Sequence, residues 1–169
     1  MAGLHDVLQP GLDVVFCGTA AGETSARVGI YYAGRGNQFW AVLARMGLTP
    51  AQLGPEEYGE LPLYGIGLTD LAKKRSGSDA ELTGSDFDVA GLRKKIEKFA
   101  PAWIAFNGKE AAKVFFDRST ATYGRQLETI DATAIFVLPS TSGSARRYWD
   151  ASYWRQLAKV VKSGLARRD

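Results

Sequence analysis

Apolar runs that stop abruptly at small or polar residues recur along the chain. Three of them cover residues 13–17, 102–106 and 134–138, and each is apolar on nearly every residue, with many β-branched or aromatic side chains. Such continuous runs are typical of parallel strands that are covered on both faces of a sheet. Residues 64–67 form a weaker fourth candidate, which equally suits a loop that leads into a helix.

Helical periodicity lies between these runs. Apolar residues recur every three or four positions in segments 38–46, 87–99, 109–116 and 148–165. Strands that alternate with helices indicate an α/β domain with a parallel sheet. We therefore expect a three-layer α/β/α sandwich with a central, mainly parallel four-stranded sheet. The length of 169 residues fits one domain over residues 1–169.

The loops after the three clear strands are the candidate functional segments. They cover residues 18–37, 107–109 and 139–147. In open α/β sheets, ligands bind in the crevice at the carboxyl ends of the strands, where these loops meet.

Composition and charge narrow the class of protein. An apolar fraction of 46% and a charged fraction of 23% are those of a soluble globular protein. The N-terminal residues lack a basic region followed by an apolar stretch, and no apolar run reaches the roughly 20 residues of a membrane span. We therefore expect a cytoplasmic protein without membrane contact. The net charge of +3 and a pI of about 9.0 lean mildly toward a polyanionic partner.

Few residues are available for metal or nucleophilic chemistry. Cys17 is the single cysteine and His5 the single histidine, so an internal disulfide or a zinc site of the usual ligands cannot be assembled. A Ser-His-Asp triad would have to use His5, close to the chain terminus. We therefore expect no metal and no cofactor, and chemistry that uses amides, hydroxyls, carboxylates and backbone groups.

The first loop is small and rich in glycine directly after a strand. Residues 18–26 would let backbone N–H groups approach an anion or a carbonyl oxygen closely. The loop has neither the ending of a P-loop nor the glycine spacing of a dinucleotide site. A plain tight turn is an equally good interpretation of this segment.

Two tyrosines and an amide precede the next helical segment. Tyr31 and Tyr32 offer planar rings for stacking, and the amide of Asn37 can read the edge of a pyrimidine. Asn37 can also cap the helix that carries Phe39 and Trp40. The two interpretations are compatible.

The third loop concentrates hydroxyls, a glycine and two arginines over residues 139–149. Hydroxyls and backbone N–H groups can hold a phosphate, and an arginine can neutralise it or enter a gap in a base stack. A solvated turn explains the serines equally well.

Four motifs in order carry a resemblance to a known family. They lie in residues 14–40, 64–71, 104–109 and 137–146. They include Phe16-Cys17-Gly18 with Gly22, Gly36-Asn37-Gln38-Phe39-Trp40, Tyr64-Gly65-Ile66-Gly67-Leu68-Thr69 and Phe106-Asn107-Gly108-Lys109. Together the motifs resemble the mismatch-specific uracil/thymine DNA glycosylase branch of the uracil-DNA glycosylase superfamily. The resemblance spans about residues 11–162 and implies an enzyme that acts on DNA.

The chain also departs from that branch. Ala20 stands where the branch carries an asparagine that positions the attacking water. Ser140 and Ser144 stand where bacterial members carry an asparagine and a leucine wedge. Loss of the first asparagine, together with residues 31–32 and 75–79, resembles the hypoxanthine-DNA glycosylase branch. That branch relies on the asparagine before Phe-Trp, which is Asn37 here.

The resemblance implies a monofunctional uracil-DNA glycosylase that flips uracil out of DNA and hydrolyses its N-glycosidic bond. The catalytic candidates are Asn37 and Glu23, with the hydroxyls of Thr19 and Ser140 as further candidates for holding the water. The base-binding candidates are Gly18, Thr19, Ala20, Ala21, Tyr32 and Asn37. The DNA-binding candidates are Asn107, Lys109, Ser140, Ser142, Gly143 and Arg146, with Arg146 filling the space that the flipped nucleotide leaves.

Three alternatives remain open at this point. Deoxyinosine is a second substrate within the same class of enzyme. A protein that binds DNA lesions with little turnover would explain Ala20, and a small-molecule α/β enzyme would explain the fold alone. We expect a monomer in the cytoplasm, associated with DNA in the manner of a bacterial nucleoid protein.

Overall fold

A five-stranded sheet forms the centre of the protein. The computed structural model describes residues 3–73, 76–77 and 82–168. The strands are Val14–Ala20 (β1), Ile66–Ala72 (β2), Trp103–Asn107 (β3), Gly124–Ile130 (β4) and Thr133–Leu138 (β5). Their order across the sheet is β2-β1-β3-β5-β4. All neighbouring pairs are parallel except β4 and β5, which are antiparallel.

Helices cover both faces of this sheet. The α-helices are Glu23–Val28 (α1), Phe39–Arg45 (α2), Val89–Phe99 (α3), Lys109–Phe116 (α4) and Ala151–Arg168 (α5), and 3₁₀ turns cover Pro55–Tyr64, Gly84–Asp86 and Gly143–Tyr148. In the described part of the chain, no helix is long and apolar enough to cross a bilayer.

Alternate residues of each parallel strand enter opposite halves of the core. Val14 and Phe16 of β1 pack with α2 and α5, whereas Val15 and Cys17 pack with α3 and α4. All four side chains are fully buried. This arrangement explains why β1 is apolar without alternation, since a strand inside a three-layer sandwich has no face toward solvent.

The predicted α/β/α sandwich and its mainly parallel sheet are confirmed, but the sheet has five strands rather than four. The additional strand is β4, in which exposed residues alternate with half-buried ones and only the two end residues are buried. Its Leu127 is fully exposed, so the strand lacks an apolar stripe that a sequence could reveal. The weak candidate at residues 64–67 is a real strand, β2, which starts two residues later and continues to Ala72.

Aromatic packing joins the sheet to α2 and α5. Trp154 of α5 stacks on Phe16 with 5.5 Å between ring centroids, and Phe39 of α2 meets Phe16 edge to face at 5.3 Å. The Trp154 indole Nε1 also donates a hydrogen bond of 2.9 Å to the Pro139 carbonyl, where the third candidate loop begins.

Trp154→Ala is expected to lower the free energy of unfolding by about 3–5 kcal/mol, because it leaves a large cavity and an unpaired buried carbonyl. Chemical denaturation followed by circular dichroism measures this change. Leu127→Ala, on the exposed edge strand, is the matched control and should change stability by less than about 0.5 kcal/mol. A small effect of Trp154→Ala would show that this packing is not central to the fold.

Candidate active site

The carboxyl ends of four parallel strands surround a cleft of about 920 Å³. Twelve of the residues singled out from the sequence line it, and they come from the last residues of β1 and β3 and from the segments that follow β1, β3 and β5. These residues are Gly18, Thr19, Ala20, Ala21, Glu23, Tyr32, Asn37, Asn107, Lys109, Ser140, Ser142 and Gly143. The fold therefore brings the three candidate segments together, as the position of loops in an open α/β sheet predicts.

The first segment is more regular than a loop. β1 continues to Ala20 and α1 begins at Glu23, so the predicted loop over residues 18–37 contains both strand and helix. The expectation of one continuous loop is wrong because the parallel pairing with β2 extends to Ala20 opposite Ala72. Glu23 is exposed at the start of α1, on the rim of the cleft.

Tyr32 is held in an unusual backbone conformation beside the core. Its φ of 51° lies in the left-handed region, which residues other than glycine seldom adopt. Its ring stacks on Phe39 with 4.0 Å between centroids and 24° between planes. Burial raises the pKa of its phenol well above the ordinary value. The hydroxyl has only a weak polar contact with Asn107 and no regular hydrogen bond within the described residues.

Asn37 caps a helix, as one of its two interpretations predicts. Its Oδ1 accepts a hydrogen bond of 3.0 Å from the backbone N–H of Phe39, the first residue of α2. The same residue lines the cleft. The capping contact is therefore present, and the base-reading role stays a prediction.

Asn107 ties the third segment to the end of β3. Its Nδ2 donates to Thr141 Oγ1 at 3.0 Å, and its Oδ1 accepts from the Thr141 backbone N–H at 3.1 Å. Thr141 is buried, and its carbonyl accepts a hydrogen bond of 2.9 Å from the Gln38 backbone. The Asn107 side chain thus holds the loop that precedes the 3₁₀ turn, and its predicted contact with DNA phosphate stays a prediction.

Glycines allow the second and third segments to approach closely. A Cβ on Gly143 would lie 3.3 Å from the Gly36 carbonyl oxygen, and Gly36 itself has a φ of +85°. Ser142 accepts a hydrogen bond of 3.3 Å from the Ser144 backbone N–H at the start of the 3₁₀ turn. A larger residue at position 143 would push the two segments apart.

Arg146 lies outside the main cleft. It is exposed and lines a neighbouring cavity of about 300 Å³ with Gln38, Arg45 and Trp149. One of its guanidinium nitrogens lies 3.4 Å from the position of a Cβ on Gly36. Arg146 therefore lies at the border between the two cavities.

Lys109 lines the main cleft, and its Nζ lies 4.2 Å from the centre of the Tyr123 ring.

Asp70 is a cleft residue that sequence reasoning missed. It lies on β2 opposite Gly18, in a strand that is buried along its whole length, and it is only 5% exposed. Burial raises its pKa to about 7, although Lys73 opposes this effect. Its Oδ2 accepts no hydrogen bond from any described residue. The signal in the sequence was one acid in a segment whose other residues, apart from Thr69, are apolar or glycine.

Lys73 connects Asp70 to the N-terminal segment. Its Nζ lies 3.7 Å from Asp70 Oδ2 and 2.9 Å from Asp6 Oδ1. It also donates hydrogen bonds of 2.8 Å to the Leu4 carbonyl and 2.9 Å to the Tyr31 hydroxyl. The lysine thus anchors Leu4, which lines the cleft, against the end of β2.

Part of one resemblance falls outside the described residues. The segment at residues 75–79 that resembles the hypoxanthine-DNA glycosylase branch includes positions 75, 78 and 79, which the structure does not describe. Gly77 of the same segment is described, and it lines the cleft with its backbone N–H donating a hydrogen bond of 3.0 Å to the Ala21 carbonyl.

The chain is similar to known proteins in both its sequence and its fold. The family model of the uracil DNA glycosylase superfamily matches residues 5–160, and the chain belongs to this superfamily. The fold is similar to the solution structure of a Methanosarcina acetivorans protein that is provisionally assigned as a uracil DNA glycosylase. That match has a TM-score of 0.66 at 22% identity and covers 95% of this chain and 98% of the other. At this identity the similarity concerns the fold.

Asn107→Ala is expected to lower the free energy of unfolding by about 1–3 kcal/mol, because two partly buried hydrogen bonds to Thr141 are lost. Thermal denaturation measures this effect, and limited proteolysis should show faster cleavage within residues 139–147. Ser144→Ala removes a hydroxyl from an exposed contact in the same loop and is the control. Equal stability and equal proteolysis of the two variants would contradict the anchoring role.

Proposed function

We propose that the protein is a monofunctional uracil-DNA glycosylase, which flips uracil out of DNA and hydrolyses its N-glycosidic bond to leave an abasic site. The observation that carries the proposal is the convergence of the superfamily's motif residues on one cleft at the carboxyl edge of the sheet. Base removal needs a pocket that accepts a flipped base and stabilises negative charge on the departing ring.

In this proposal, the end of β1 and the residues that lead into α1 supply the donors for this charge. The backbone N–H groups of residues 18–23 donate hydrogen bonds to a uracil carbonyl oxygen. These residues include Gly18, Thr19, Ala20 and Ala21. Tyr32 then presents a ring face for stacking, with its other face supported by Phe39. A rigid support matters because preorganised groups do not need to reorganise as the glycosidic bond breaks.

The attacking water needs a group other than the side chain at position 20, because the methyl of Ala20 cannot hold it. Asn37 is our first candidate because its amide lines the cleft. Glu23 is the second, since a carboxylate on the rim would favour the positive charge that grows on the sugar. Hydroxyls of Thr19 and Ser140 follow.

The phosphates around the flipped nucleotide are bound, in this proposal, by Lys109, Ser140, Ser142 and Gly143. Backbone N–H groups, hydroxyls and a cation are the usual partners of phosphate oxygens. Asn107 supports these contacts by holding Thr141. In this proposal the protein acts on DNA as a monomer.

One substitution favours a second candidate function. Ala20 removes the amide that positions water in related enzymes, so a DNA-lesion binding protein with little turnover fits the same cleft. Hypoxanthine is the alternative substrate if turnover is present. Cleavage of defined DNA substrates separates these possibilities.

The wild-type protein is expected to generate alkali-sensitive sites in oligonucleotides that contain uracil opposite guanine, under single-turnover conditions. Asn37→Ala should reduce this rate by about 100-fold or more, since a positioning group in the cleft is lost. Hypoxanthine and thymine opposite guanine are tested beside uracil. Absence of cleavage on all three, with salt-sensitive DNA binding retained, would instead establish a lesion-binding protein.

Asn37→Asp is the matched control for the helix cap. It keeps an oxygen that can accept from the Phe39 N–H, so the loss of about 1 kcal/mol expected from removing the cap should be avoided. A strong loss of turnover in Asn37→Asp with unchanged thermal stability assigns the effect to the amide. Near-normal turnover in both variants would show that Asn37 is only a cap.

Arg146→Ala is expected to reduce uracil excision from double-stranded DNA at least about tenfold more than from single-stranded DNA. The reason is that a wedge stabilises the gap in a base stack, which a single strand lacks. Parallel rate measurements on the two substrates test this expectation, with Arg147→Ala as the neighbouring control. An equal loss on both substrates would contradict the wedge role.

A further inference from the structure

We propose that the second cavity, beside the main cleft, binds a backbone phosphate of the DNA near the flipped nucleotide, with Arg45 as its principal cation. This inference rests on the proposed function, because the ligand is the DNA on which the protein acts. It adds a contact outside the main cleft, from a residue that lies outside the four motif segments.

This cavity lies between α2 and the segment that follows β5, and its volume is about 300 Å³. Gln38, Val42 and Arg45 line it from α2, because residues three and four positions apart lie on the same face of a helix. Arg146 and Trp149 line it from the other side. The cavity therefore has a helix as one wall and the 3₁₀ turn of the third segment as the other.

Two guanidinium groups line the second cavity, and no carboxylate of the described residues does. Arg45 and Arg146 are both exposed, and neither forms an ion pair with a residue that the structure describes. The acid nearest to Arg146 in the sequence, Asp150, accepts two hydrogen bonds from Ser152 instead. A concave surface with two uncompensated positive charges attracts an anion.

The second cavity and the main cleft share a wall. Ser140, Thr141 and Ser142 line both of them. Asn107 holds this wall through two hydrogen bonds to Thr141, and the Gln38 backbone N–H donates a third, of 2.9 Å, to the Thr141 carbonyl. DNA with one nucleotide in the main cleft therefore passes this wall and brings a nearby phosphate to its other side.

A phosphodiester fits the donors of this cavity. Guanidinium groups bind phosphate oxygens through paired N–H donors. The Oγ of Ser140 accepts a hydrogen bond of 3.1 Å from the Ser142 backbone N–H, which leaves its own O–H to donate. An ionised phosphodiester has only acceptor oxygens, so it complements a surface that offers cations and hydroxyl donors.

Arg45 supplies a charge that does not depend on the wedge. In the proposed function, Arg146 fills the gap that the flipped nucleotide leaves, whereas Arg45 stays in the last turn of α2. The first residue of the same helix, Phe39, donates its N–H to Asn37 in the main cleft. The helix thus connects the candidate active site at its start with the phosphate site at its end.

Arg45→Gln tests the proposal because it removes the charge from an exposed position. The probe is a duplex with one 2′-fluoro-arabino uridine opposite guanine, which resists cleavage, and fluorescence anisotropy measures its affinity over a range of salt concentrations. The variant should bind about fivefold to tenfold more weakly at about 0.1 M salt. The slope of log K against log salt concentration should fall by about 1, since one phosphate contact is lost.

Arg27→Gln is the matched control. Arg27 is the exposed arginine in the last turn of α1, and it lines neither cavity. A basic residue at this place complements the helix dipole in both helices, so the two variants share any effect of the dipole. Arg27→Gln should keep the wild-type salt slope, and Arg45→Lys should keep most of it because the charge remains. An unchanged slope in Arg45→Gln, or equal decreases in both glutamine variants, would overturn the proposal.

Single methylphosphonates in either strand locate the contact, because each removes the charge of one phosphate. In the wild type, one position near the flipped nucleotide should weaken binding about fivefold. In Arg45→Gln the same replacement should cause no further loss, since the partner charge is already absent. Equal losses in both proteins at every position would count against the phosphate site. Thermal stabilisation of the wild type by inorganic phosphate, without an effect of any methylphosphonate, would assign the cavity to a free anion instead.

Excision of ordinary deoxyuridine from the same sequence separates this inference from the proposed function. The expected Arg45 effects without excision would establish phosphate binding in the second cavity of a protein with little turnover. Excision without these effects would overturn the phosphate site alone. Absence of any DNA binding would overturn both.

Discussion

The pairing of β1 with a parallel neighbour on each side is the constraint on which the rest of the structure depends. Gly18 lies opposite Asp70 on β2, and Cys17 lies opposite Phe106 on β3. Because the carboxyl ends of parallel strands lie at the same edge of a sheet, this register brings Asp70, Gly18 and Asn107 close together at that edge. A shift of one residue would turn every side chain of β1 to the opposite face and dismantle both the core and the cleft.

Aromatic contacts transmit the rigidity of the core to the cleft. Trp154 stacks on Phe16, Phe16 meets Phe39 edge to face, and Phe39 carries the ring of Tyr32 on its own face. The left-handed backbone of Tyr32 is unfavourable by itself, so this packing must hold it in place. The tyrosine in the cleft is thus positioned by residues whose sequence pattern only indicates a helix and a strand.

Apolar continuity was a sufficient signal for β1, β3 and β5. It was a poor one for the buried strand β2, which contains Thr69 and Asp70, and for the segments at the strand ends. The runs at residues 13–17 and 102–106 mark β1 and β3, but β1 continues through polar and small residues that resemble a loop. β4 was not predicted because its Leu127 is exposed, which breaks the alternation of inward apolar and outward polar residues that is typical of an edge strand. Asp70 was not predicted because its position opposite Gly18 depends on pairing between distant segments, which local patterns do not encode.

The hydrogen bonds of Lys73 join the stability of the fold to the electrostatics of the cleft. Its donors fasten the N-terminal segment through Leu4 and Asp6, which places a positive charge next to Asp70 without satisfying the carboxylate. Burying an acid with an open oxygen costs free energy, and the packed core on both faces of the sheet must offset that cost.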